Sequence, residues 1–78
     1  MAGREQNERK FGQWADLPDG GRRYWLEVEG HRGWRARYSK IVDKDEKTIR
    51  FWQEIHDESG NLVETHVKFP VDEGHQKA

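Results

Sequence analysis

The chain has 78 residues, 32% of them apolar and 37% charged, a net charge of −1 and no cysteine. That length accommodates one domain of marginal burial, since a chain of roughly 60 residues hides only about 60% of its unfolded surface. A disulfide framework and a cysteine zinc site are excluded, no apolar run approaches the ~20 residues of a membrane span, and no hydrophobic signal segment opens the chain. The expectation is a small, bacterial-type soluble domain of the cytoplasm.

Residues 1–10 are polar and mixed in charge and read as a disordered tail. Phe11, Trp14, Ala15 and Leu17 share one side of a helical turn that Gly12 weakens and Pro18 stops, so 11–21 reads as a short helical lid. Pro18, Asp19, Gly20 and Gly21 separate this lid from the remainder of the chain.

From Arg22 onward the residues alternate with period two, as strands buried on one face do. A first strand, Arg22–Glu29, sets Tyr24, Leu26 and Val28 against Arg23, Trp25, Glu27 and Glu29. Gly30 to Gly33 turn the chain into a second strand, Trp34–Val42, with Trp34, Ala36 and Tyr38 on one face and Arg35, Arg37, Ser39 and Ile41 on the other. The third, Thr48–His56, sets Ile49, Phe51, Gln53 and Ile55 against Arg50, Trp52, Glu54 and His56. The fourth, Leu62–Phe69, sets Val63, Thr65, Val67 and Phe69 against Leu62, Glu64, His66 and Lys68, and Pro70 ends it. The predicted fold is mainly β: an antiparallel meander of four strands over 22–70 with a short N-terminal helical segment, and 71–78 as a C-terminal tail.

Directly opposed residues must share a face, and pairing by that rule lines up Trp25, Arg37 and Trp52, with Glu27, Arg35 and Glu54 in the next row. A guanidinium between two indoles gains about 0.5–1 kcal/mol per exposed contact. The last hairpin admits two registers: a loop of Glu58, Ser59 and Gly60, favoured by turn chemistry, or one of Ser59, Gly60 and Asn61, favoured by pairing His56 with Glu64.

Tyr24, Leu26, Val28, Trp34, Tyr38, Ile49, Phe51, Ile55, Val63, Val67 and Phe69 form the predicted core face. One sheet cannot leave such a face in water, and Phe11, Trp14 and Leu17 are too few to cover it. Face-to-face pairing in a homodimer is the expected cover, and curling into a small barrel the other.

Between Arg22 and Lys40 there are six basic residues against two acidic, and between Ile41 and Glu73 four against nine. Neutralisation between neighbouring strands accounts for this more simply than a nucleic-acid footprint. The candidate binding residues are Trp25, Arg35, Arg37, Trp52 and His66. They suit a peptide or small ligand, or, as the alternative, the stacked bases and phosphates of a single-stranded nucleic acid.

No nucleophile elbow, P-loop or dinucleotide motif occurs, so a non-enzymatic binding module without cofactor or metal is the reading. Glu54, His56 and His66 are the one acid–base group a hydrolase would use, and His56 and His66 with Glu54 and Glu64 the one conceivable metal site. Asp43, Asp45 and Glu46 are explained by turn propensity without calcium. The segment GWRARY (33–38) followed by an aromatic strand resembles the start of Tudor-type and related SH3-like small barrels; it lacks their later aromatic-cage pattern, so no function and no residues are transferred.

Overall fold

The computed structural model describes residues 2–71 and 74–77. Helix α1 (Ala2–Phe11) precedes six strands: β1 (Gln13–Asp16), β2 (Arg22–Glu29), β3 (Arg35–Val42), β4 (Thr48–His56), β5 (Leu62–Phe69) and β6 (Gly74–Lys77). All pair antiparallel in chain order in one sheet, whose order β1 to β6 leaves it open rather than closed into a barrel. Among the described residues no helix is long and apolar enough to cross a membrane.

The mainly β meander agrees with the sequence reading, and two short edge strands extend it. Residues 13–16 form β1 instead of a helical lid, 74–77 form β6 within the expected tail, and the helix lies earlier, where the sequence predicts disorder. The reason is visible in α1. The side it turns to the sheet is Gly3, Asn7 and Phe11, spaced by four, and only Phe11 is a large apolar residue. Periodicity of hydrophobic residues therefore misses it. Propensity does not: Ala, Arg, Glu, Gln and Lys are good helix formers, Glu5 sits in the first turn, and Arg9 and Lys10 sit in the last. Gly12, at φ +79°, closes the helix by donating its N–H to the Glu8 carbonyl over 2.9 Å.

The corners at Leu17–Gly21, Asp43–Lys47 and Asp57–Asn61 share one design. In each, the first N–H bonds the fifth carbonyl and the fourth N–H bonds the first carbonyl. The fourth residue takes a positive φ, which is +90° at Gly20, +86° at Gly60 and +67° at Glu46. In the two later corners the leading Asp also accepts two backbone N–H groups at 2.9 Å on Oδ1. Glu58, Ser59 and Gly60 are thus the loop that turn chemistry favours, with His56 opposite Leu62.

Two register findings correct the sequence reading. The β2–β3 connection uses Gly30 to Trp34, with a short 3-10 turn at His31–Gly33, so strand pairing starts at Glu29 and Arg35. This places Ser39, not Arg37, between Trp25 and Trp52, and puts Arg37 between Glu27 and Glu54. Bulges then shift the later pairings. The extra residue is Ile49 on β4, and Val63 and Lys68 on β5. The bulge at Val63 reverses β5, so that Val67 and Thr65 lie with Trp52 and Glu54, while His66 and Glu64 lie with Gln53 and Ile55. Val67 leaves the expected face but is buried on the other one, paired with Trp52. Ile49 is exposed, and Phe69 pairs with Phe51 but is exposed as well.

The core is small and lies under α1. Phe11, Tyr24 and Val42 are buried, with Leu26, Tyr38 and Phe51 packed against them. The Phe11 ring lies 5.8 Å from Tyr24 and meets Phe51 edge-on at 6.1 Å. A polar rim fastens the helix. Asn7 donates to Glu46 over 3.1 Å and accepts from Lys40 over 3.0 Å. Buried Arg22 binds Glu8 at 2.6 Å and Asp16 at 2.8 Å, tying α1, β1 and β2 together. The chain thus covers part of its own apolar face; the part around Val28, Ala36 and Ile55 lies outside the core cluster under the helix.

Candidate tryptophan and arginine face

The face opposite α1 is built in rows across the sheet. Gln13, Trp25, Ser39, Trp52, Val67 and Gly74 form one row. Ala15, Arg23, Ile41 and Arg50 form the row beside it. Each indole carries an arginine from two residues earlier on its own strand. The Arg23 guanidinium lies 5.4 Å from the Trp25 ring centre and that of Arg50 4.9 Å from the Trp52 ring centre. Trp25 donates its indole N–H to Gln13 over 3.0 Å, which fixes the ring. Between the indoles Ser39 is wholly buried, and neither its hydroxyl nor Nε of Arg23 has a hydrogen-bond partner among the described residues. These two rows hold no carboxylate.

The acids begin in the next row, Glu27, Arg37, Glu54, Thr65 and Gln76. Arg37 binds Glu27 through both Nε, at 3.1 Å, and a terminal nitrogen. Arg37, with smaller help from Arg35 and His56, holds the Glu27 carboxyl below its ordinary range. Beyond it Arg35 pairs with His56, and the two help line a cleft of about 390 Å³ against the Asp57–Asn61 corner. Backbone N–H groups of Asn61 and Ser59 hold the Asp57 carboxyl low as well.

Of the predicted binding residues, Trp25, Arg35, Arg37 and Trp52 share this face and His66 does not. His66 lies on the α1 side, its ring 4.3 Å from that of His75, whose Nδ1 is 3.2 Å from Glu64. Glu54 and His56 are thereby separated from His66, so the acid–base group inferred from the sequence is not assembled. Among the described residues no cluster of His, Cys, Asp and Glu suits a metal ion.

Sequence reasoning missed Ser39 and Arg50. A signal was present in the triplets Arg-Tyr-Trp (23–25) and Arg-Phe-Trp (50–52). On a strand, the outer residues of such a triplet share a face and the middle one points to the other. Tyr24 and Phe51 accordingly enter the core while the Arg and Trp of each triplet meet outside.

The fold and face together define an open antiparallel sheet, bolted by one helix, that displays paired arginines and indoles. No family model, characterised protein or solved structure matches the chain.

Proposed function

We propose that the protein is a small non-enzymatic binding module that takes a single-stranded nucleic acid on the Trp25 and Trp52 face. The observation that carries this is the pair of arginine-backed indoles in two adjoining rows free of carboxylate. The indoles stand two strands apart, roughly 10 Å by ordinary sheet spacing. Each offers a surface on which a base stacks, worth about 1–3 kcal/mol by alanine substitution, and each has a guanidinium beside it for a phosphate. The overall charge of −1 argues for weak binding: the attraction is local and confined to one half of the face.

The test is quenching of tryptophan fluorescence by oligothymidylate across a salt series. Two phosphate contacts give a slope of log affinity against log salt near −1.4, using about −0.7 per contact for single strands. Replacing Arg23 and Arg50 by Gln should flatten it, and Trp52→Ala should weaken binding by about tenfold. Quenching that ignores salt, or survives Trp25→Ala with Trp52→Ala, overturns the proposal.

A further inference from the structure

On the α1 side, beyond the reach of the helix, Val28, Ala36 and Ile55 form one cross-strand row that runs on into Glu64, and Trp34 lies just before β3 at the same end of the sheet. Val28 is 45% exposed and Trp34 38%. Ala36, Ile55 and Trp34, with Gly30 and Glu58, border a groove of about 710 Å³, within the range of about 300–1,000 Å³ usual for ligand sites. Its other charged or titratable lining residues are His31, Arg32 and Arg35, the last of which, like Glu58, also borders the cleft of the opposite face, so the rim carries one more arginine than acid in a chain whose net charge is −1.

Arg32 supplies an independent observation. It sits at φ +58°, ψ +31°, a left-handed conformation that a bulky residue adopts only at a cost in energy. Glu46, the other such residue, is held by three side chains; Arg32 makes no hydrogen bond or ion pair with any described residue. Strain without an internal partner is a mark of a contacting surface.

We infer that this groove docks an acidic segment of a partner protein, with an aliphatic or aromatic side chain of that segment lying on Ala36 and Ile55 against Trp34. A second copy of the chain is the competing occupant and fits less well. A two-fold axis through the patch brings His31, Arg32 and Arg35 of each copy towards the same groups of the other, with Glu58 the one acid in the lining to offset them.

The probes are two synthetic peptides, one alternating Glu and Leu and one alternating Lys and Leu, titrated against the 15N-labelled full chain. The inference expects the Glu–Leu peptide to shift the amides of Ala36 and Ile55 and the Trp34 indole, and the Lys–Leu peptide to leave them in place. Arg32→Glu should weaken Glu–Leu binding by about tenfold, and Arg32→Gly should weaken it while raising stability, because glycine relaxes the backbone as the cation is lost. That opposite movement is one a purely structural Arg32 does not give. Equal binding of both peptides, shifts confined to the Trp25 and Trp52 face, or a solution mass that is doubled in the free chain and halved by Ile55→Asp would overturn it, the last assigning the groove to a second copy.

Discussion

Tyr24 donates its hydroxyl to Oε2 of Glu46, which stands at φ +67° at a hairpin corner whose two sister corners hold glycine. A side chain there costs roughly 1–2 kcal/mol of backbone energy. The contacts of the carboxylate offset it: besides Tyr24 it accepts from Asn7 at 3.1 Å and Arg4 at 3.4 Å, joining α1, β2 and the β3–β4 corner. The residue is conformationally wrong for its turn and chemically right for the helix above it.

Glu46→Gly should therefore destabilise less than Glu46→Ala. Both lose the acceptor, costing about 1–3 kcal/mol, but only alanine keeps the backbone strain. Gly60→Ala is the control, since a Cβ there meets no atom within 4 Å and its cost of about 1 kcal/mol is purely backbone. Urea midpoints of the three variants check the order; Glu46→Gly falling below Glu46→Ala would refute it.

Stability should fall at both ends of the pH scale. Burial raises the Glu46 carboxyl, but hydrogen bonds from Tyr24, Asn7 and Arg4 outweigh it and leave it below its ordinary 4.5. A lowered pKa contributes stability that is present above 4.5 and lost as pH falls through the folded value. Burial and Glu46 raise the Tyr24 hydroxyl above 10.0, so its contribution is complete below 10.0 and lost as pH rises through the folded value. Chemical denaturation from pH 3 to pH 11 should show both limbs, and Glu46→Gln should make the acid limb shallower, leaving the share of Glu27 and Asp57.

Phe11 is the main apolar anchor of α1, so Phe11→Ala should cost about 3–5 kcal/mol. At the marginal stability of so short a chain that is enough to detach or unfold the helix, seen as lost helical circular dichroism. Retention of the helix signal with an unchanged midpoint would show that the rim of Arg22, Asn7 and Glu46 holds it unaided.

The hydroxyl of Ser39 is buried between the indoles without a partner among the described residues, an arrangement costing about 1–3 kcal/mol. Ser39→Ala should therefore hold or raise the unfolding midpoint, whereas Ser39→Leu should force the rings apart and lower it. A clear loss in Ser39→Ala would mean that the hydroxyl is bonded in solution.

Alternation was enough to delimit β2, β4 and β5 and to place β3 to within a residue, because side-chain direction on a strand depends only on sequence parity. It was also enough to assign the faces of β2 and to set Trp25 and Trp52 on one surface. Parity fails where a residue is inserted without a partner. The bulge at Val63 leaves no mark in the pattern, yet it turns Val67 and His66 to opposite faces from those expected. Loop length acts in the same way: the five residues from Gly30 to Trp34 decide that Ser39 rather than Arg37 faces the indoles. Helix α1 escaped because its contact side is mostly polar, and its docking depends on Glu46, Tyr24 and Arg22, which are distant in sequence and meet only in the folded chain. Local rules write the strands, whereas register and cover depend on contacts between segments that no single stretch contains.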